Sequence, residues 1–357
     1  MVTHPVAETL KVARGIGTAV AGPDGLTDLQ VALLGAVTLA LTGQQVDYTS
    51  LDPLGPAELA AVLADSDESH RRRIVHHMVL GELVLVPIPA QVAETVATYA
   101  KALDVDDDFV SIAREYAENA LTQAWDDLHR SGFASTWDQL DQHPLHTKAA
   151  VSDPFERTVD DPELADRWRS FAELPAGTLG QLTWEMYQMR GWEPPGTKGG
   201  MVSAYFAQHD FVHVLADYGT NIQGEVEIFG LIGRADPDPK GFSWLATIVG
   251  LFETGYVEHM GYFDSDVEDH WLRVDGMAAR LADSIVRGKS VQEGFGTDLL
   301  RVDYHELADR PIDEVRSLLS LPPKSALAVA AGSPGAFDFS GLSSSQQRAA
   351  TNIASEQ

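Results

Sequence analysis

The stretch His209-Asp210-Phe211-Val212-His213-Val214-Leu215, followed after Gly219 by Thr220-Asn221-Ile222-Gln223-Gly224-Glu225, governs how the rest of the chain is read. At about 3.6 residues per turn, His209 and His213 stack on one face of a helix expected over residues 201–218. Asp210 is turned about 100° from His209, yet can still reach the same point. Glu225 comes after the breaks at Gly219 and Gly224, so it can return to that point on a second element. Two imidazoles and two carboxylates suit a zinc-like divalent ion, because neither ligand type requires a redox-active metal. The flanking Phe211, Val212, Val214 and Leu215 are apolar, so a charged Asp210 among them needs a partner, and a cation supplies one.

Outward from this motif the apolar spacing is helical, and the expected fold is all-α with two helical domains. The first spans residues 22–132. It opens with a nearly continuous apolar helix over 29–41 after the Thr27-Asp28 cap. Further helices are expected at 56–63, 68–85 and 90–102, with Pro87 and Pro89 ending one of them. Residues 106–108 cap a long helix through Glu115 and Asp126 to His129. Residues 133–162, with Pro144, Pro154 and Pro162, read as a linker. The second domain, 163–322, carries an amphipathic helix around Leu182, Trp184, Met186, Tyr187 and Met189 closed by Gly191, then the motif helix. An apolar helix over 242–260 follows, and another over 271–287 stopped by Gly288. Residues 323–357, rich in Ala, Ser and Gly, read as a disordered tail. No internal repeat is visible.

Composition narrows the function. The 357 residues carry 25 basic and 53 acidic side chains, a formal charge of -28, which argues against nucleic acid and against electrostatic docking on anionic lipid. Apolar membrane contact stays open. With no cysteine, disulfides and thiolate chemistry are excluded, and any metal must sit among nitrogen and oxygen ligands. Residues 1–21 lack the basic start and apolar core of a secretory signal. The longest apolar stretches fall short of the ~20 residues that span a bilayer. The expected location is cytoplasmic, with peripheral contact to a membrane.

The pattern His-Asp-x-x-His, eleven residues, Glu, here His209, Asp210, His213 and Glu225, resembles the signature of the Coq-four family of ubiquinone (coenzyme Q) biosynthesis proteins. The intervening Thr220-Asn221-Ile222-Gln223-Gly224 is similar to family members, as are Leu174-Pro175-Ala176-Gly177-Thr178, Gly288-Lys289 and Leu300-Arg301-Val302-Asp303-Tyr304. Arg310-Pro311-Ile312-Asp313-Glu314-Val315-Arg316 extends the likeness, which covers about residues 174–321. It implies a helical protein whose His209, Asp210, His213 and Glu225 ligate a metal, with zinc, iron or manganese as the ion, and whose apolar channel holds a prenyl chain. It also implies oxidative decarboxylation of a prenylated hydroxybenzoate in quinone biosynthesis, a metal-dependent lyase activity, with quinone-biosynthesis enzymes as partners; separately from the resemblance, a homo-oligomer is one assembly the sequence leaves open. Asp210 is then the expected catalytic residue, as ligand or as proton shuttle. Many family members carry an Arg-rich run just before the motif, where this chain has Ser203-Ala204-Tyr205-Phe206-Ala207-Gln208. A non-catalytic prenyl-lipid-binding scaffold and a metal-dependent hydrolase are the alternative readings. The N-terminal domain resembles the tellurite-resistance TerB-like domain in its leading apolar helix and its Asp47-Tyr48 turn.

Other polar residues read as structural. His76, His77, His129 and His259 are expected to be hydrogen-bonded core or surface histidines. Glu253 and Glu258 fit a solvated edge, and residues 264–269 a solvated acidic loop. Gly196-Thr197-Lys198-Gly199-Gly200 lacks the spacing of a phosphate-binding loop. The aromatic and Met residues of 184–189 suit a core or the wall of a prenyl channel.

Overall fold

Thr27 accepts a hydrogen bond from Gln30 N while Gln30 Oε1 accepts from Thr27 N, a reciprocal cap that starts the first strongly apolar helix. One-way side-chain caps start several later helices of the computed structural model, which describes residues 6–117, 143–148, 160–198, 200, 202–238, 241–253 and 271–356. Among the described residues there are 15 α-helices and no strand, only isolated bridges joining Gly22 to Gly25 and Thr178 to Pro311. In chain order the helices are α1 (Val6–Val20), α2 (Asp28–Thr42), α3 (Pro56–Val62), α4 (Glu68–Leu83), α5 (Ala90–Ala102) and α6 (Asp108–Ala117). Then come α7 (Pro162–Ser170), α8 (Leu179–Arg190), α9 (Ala207–Ala216), α10 (Ile222–Ala235) and α11 (Gly241–Glu253). The last four are α12 (Met277–Gly294), α13 (Ile312–Leu318), α14 (Ala326–Ala330) and α15 (Ser344–Glu356). No described helix is long and apolar enough to cross a membrane.

The organising helix is α10, buried at every residue except Arg234. It packs against α11 and, most extensively, α12. Glycines let the last pair approach closely. A Cβ on Gly230 would meet Ser284 Oγ at 2.5 Å, and one on Gly288 would meet Leu231 O at 2.4 Å. Gly288 therefore does not stop a helix at residue 287. The helix runs through it, and the missing side chain serves the crossing. A buried ion pair, Arg280 Nη2 to Glu227 Oε2 at 2.5 Å, ties the same two helices. The N-terminal helices join this core, with α2 against α12 and α4 against α11, so one apolar cluster runs through both halves of the chain.

Two further expectations change. The motif helix is shorter than 201–218: Ser203 Oγ caps Phe206 N before it, and Asp217 in the left-handed region (φ 58°) ends it. The tail after Pro322 is ordered rather than disordered. It forms α14 and α15 and buries Ala328, Ala336, Leu342 and Gln346, because its backbone carbonyls meet donors from the turn between α9 and α10. The continuation of α6 to His129, most of the linker at 133–162, residues 254–260 of the apolar helix, the 264–269 loop, Glu258 and His259 lie outside the described residues.

Candidate metal centre

The turn between α9 and α10 brings the motif together. A Cβ on Gly224 would lie 1.9 Å from Gly219 O, so only glycine permits so tight a return. Asn221 caps α10 by accepting from Gly224 N, which makes Gly224 part of the first turn and not a break before it. Glu225 follows in the same turn, where the positive end of the helix dipole favours a carboxylate. The chain has reversed direction, and Glu225 faces α9.

All four residues converge. His209 Nε2 lies 3.5 Å from Asp210 Oδ1 and 3.6 Å from Glu225 Oε2, and His213 Nε2 lies 3.3 Å from Glu225 Oε1. Ligand atoms of His209, Asp210 and His213 all fall within 4.8 Å of one another. Ligands at ~2.1 Å from a tetrahedral ion stand ~3.4 Å apart, which the three His–acid separations match, although Glu225 lies outside the group whose ligand atoms are all within 4.8 Å of one another. Each imidazole turns its other nitrogen to a backbone carbonyl: His209 Nδ1 to Phe206 O, and His213 Nδ1 to Tyr218 O at 3.3 Å. A carbonyl can only accept, so Nδ1 carries the proton and Nε2 faces the cluster. His213 Nε2 is fully buried and has no hydrogen-bond partner, the orphan expected of a nitrogen whose partner is an ion.

The surroundings fix the acids. Tyr187 on α8 donates to Asp210 Oδ2 at 2.5 Å, leaving Oδ1 toward His209. Burial, with Asp210 beside it, raises the Tyr187 phenol well above its usual range, so it stays a donor. Burial alone pushes the His209 imidazole down, but Asp210 and Glu225 outweigh it and hold it up at about 9. Burial likewise pushes Glu225 up, and His213 and His209 overcome it to hold the carboxyl at about 2. Asp210 is raised, chiefly by burial. Behind them the buried Arg190 donates to Thr220 Oγ1 (2.7 Å), Met186 O (3.1 Å) and Ala336 O (2.7 Å), and its charge offsets part of the acids'.

His209 and Glu225, 5% and 8% exposed, form the shallow side of the cluster, with Asp210 and His213 beneath. Aromatic rings wall this side: Phe206 at 4.3 Å and Phe229 at 5.7 Å from the His209 ring, with Trp244 stacked on Phe229 at 5.6 Å. Cavities of about 180 Å³ and about 660 Å³ occur elsewhere, and neither is lined by any of the four residues.

Of the residues read as structural, His76 is a core histidine, buried and 2.8 Å from Asp107 Oδ2. A second His–acid group, His146, Asp303 and Glu306, lies nearer the surface. The sequence reading missed Tyr187 as the holder of Asp210, Arg190 as the charge behind the acids, and the tail residues around Gly341 and Gln346. Only the aromatic content of α8 hinted at the first. Compared with known proteins, the chain matches no protein-family model, no curated protein and no solved structure.

Proposed function

We propose that the protein binds one divalent ion, zinc or alternatively iron or manganese, through His209, Asp210, His213 and Glu225. It would use that ion in the oxidative decarboxylation of a prenylated hydroxybenzoate-type ring in quinone biosynthesis. The observation that carries the metal is the buried Nε2 of His213, without a hydrogen bond and facing Glu225. The substrate class rests on the resemblance of residues 174–321 to the Coq-four family. The aromatic wall of Phe206, Phe229 and Trp244 supports it, since a substrate ring can stack there.

When bound, the ion supplies positive charge at the substrate's phenolate or carboxylate oxygen as carbon dioxide departs. The chain's residues do the positioning. Tyr187 holds Asp210 in one rotamer, and the backbone carbonyls of Phe206 and Tyr218 hold both imidazoles. Burial of Asp210 and His213 keeps bulk water from the deep side. In the balanced reaction the bond to the carboxyl carbon breaks and carbon dioxide leaves. A hydroxyl with oxygen from dioxygen replaces it, and the second oxygen atom leaves as water with two electrons and two protons from a partner reductant.

Carboxyl-labelled prenylated hydroxybenzoate, incubated with metal-loaded protein, dioxygen and a reductant, is expected to release labelled carbon dioxide. Asp210→Asn should lower the rate by about 10²-fold or more. Equal release from metal-free protein defeats the enzyme reading. No release from protein that binds both the ion and a prenyl lipid favours the scaffold.

A further inference from the structure

Outside the motif, His146, Asp303 and Glu306 form a second group of donors among the described residues, with ligand atoms all within 4.8 Å of one another. His146 Nε2 stands 2.9 Å from Asp303 Oδ1 and 3.1 Å from Oδ2. Donors ~2.1 Å from an ion and about 90° apart around it are ~3.0 Å from each other, as in a tetragonal or octahedral shell. A proton shared between His146 and Asp303 would give the same spacing, but it leaves Glu306 unexplained. That carboxylate lies within reach of both partners, yet it has no hydrogen bond or ion pair of its own among the described residues. Two carboxylates held together around one imidazole call for a cation between them.

The fold fixes these donors from two segments distant in sequence. Val302 and Tyr304, buried on either side of Asp303, anchor the loop. Tyr304 donates to Leu299 O at 2.9 Å and stacks on Phe211 of α9 at 5.0 Å. Glu306 N donates to Asp303 Oδ1 at 3.1 Å, which orients the carboxylate. On the other segment Leu145 is buried, and the His305 ring packs against that of His146 at 4.7 Å. The two segments meet at the motif helix, where Gln208 Nε2 donates to Pro144 O (3.4 Å) and Val302 O (3.3 Å). Side chains of His146 and Asp303 are 12% and 20% exposed, and Glu306 is exposed, so the group is open to solvent.

We infer that His146, Asp303 and Glu306 form a second, exchangeable site for a first-row transition-metal ion. The imidazole selects such an ion over magnesium or calcium, which take oxygen ligands. Water fills the remaining positions. With three protein ligands, one of them exposed, the ion is held loosely and is lost on desalting, so it adds nothing to the metal content of the protein as purified. When bound, it bridges residues 143–148 to the loop before α13. The site shares no ligand with the motif and does not depend on the function proposed for it.

Calorimetric titration of the desalted full chain with nickel tests this. The wild type should take up one more ion per chain than His146→Ala, a difference that is the same whether or not the motif is loaded. Removal of a ligand should weaken that ion beyond the ~10–100-fold typical of outer-shell changes. Glu306→Gln, at an exposed position, should fold normally and weaken the same ion at least about tenfold, which decides the matter if His146→Ala fails to fold. Nickel should also slow amide hydrogen exchange over residues 143–148 in the wild type and leave it unchanged in His146→Ala. Magnesium should give no difference between these two proteins. Equal nickel uptake and affinity in the wild type and the folded variants, magnesium bound there as tightly as nickel, or nickel protection that persists in His146→Ala would each overturn the inference.

Discussion

His76 and His77 on α4, like His209 and His213 on α9, are buried. As sequence neighbours the first two point about 100° apart around their helix. His76 Nε2 meets Asp107 Oδ2, which Arg72 Nη1 also reaches at 2.9 Å, while the His77 ring is buried apart from them, with no hydrogen bond at Nε2. The second pair, one turn apart, aims both Nε2 atoms at the same two acids, and its Nδ1 atoms are tied to carbonyls. Burial of histidine is common to both pairs and decides nothing. Spacing sets convergence, and the carbonyl on the opposite nitrogen sets which atom faces the acids. In the N-terminal pair a fixed guanidinium supplies the positive charge, whereas in the motif no guanidinium reaches the acids within ion-pair distance among the described residues, and the proposed ion would take that role.

Three measurements can break or sharpen this contrast. The largest effect is expected for His213→Ala. Elemental analysis should find about one divalent ion per wild-type chain and almost none in the variant, with affinity falling beyond the ~10–100-fold typical of outer-shell changes. His76→Ala should keep its metal. Loss from both variants, or from neither, would erase the distinction.

Next comes the pH response of the N-terminal pair. Burial pushes the Asp107 carboxyl up, but its interactions with His76, the Phe109 N–H and Arg72 outweigh burial and lower it from 3.8 to about 2. A folded-state pKa below the unfolded value means that the unfolded chain takes up protons first as the pH falls. The stabilisation is complete above pH ~4 and disappears between pH ~4 and ~2. At ~1.4 kcal/mol per unit it amounts to about 2 kcal/mol. Asp107→Asn should lower stability near neutrality by about that much and flatten its acid limb, as read by chemical denaturation at several pH values. The smallest effect belongs to Tyr187→Phe. Without the phenol, Asp210 loses its fixed rotamer, and metal affinity should drop about tenfold with the fold intact. An unchanged affinity would show that Asp210 needs no such support.

The helices and the four converging residues were legible because both depend on local periodicity. An i,i+4 histidine pair converges on any helix, and the Asn221 cap places Glu225 one turn into the next. What escaped depends on contacts distant in sequence. Tyr187 lies 23 residues from Asp210, and its hydroxyl carries no local mark of its partner. Gly288 has the same letter as a helix stop, yet its role comes from Leu231 on another helix. The tail misled for a related reason. Small residues bury little apolar area, so composition suggests disorder, but the segment works mainly through backbone carbonyls, which every residue carries.

That tail has a consequence for how the site comes into being. Thr220 and Asn221 donate their N–H groups to Gly341 O, and Gln346 Oε1 accepts from Thr220 Oγ1 across 126 residues of chain. During synthesis both imidazoles and both carboxylates leave the ribosome well before residues 334–346 do. The turn that sets Glu225 against α9 is therefore unfinished while the nascent chain grows, and on the proposed metal reading an ion would be held tightly only after those residues have emerged. Metal loading would then follow translation, and a nascent chain stalled before residue 334 would present four loosely arranged donors in place of a finished site.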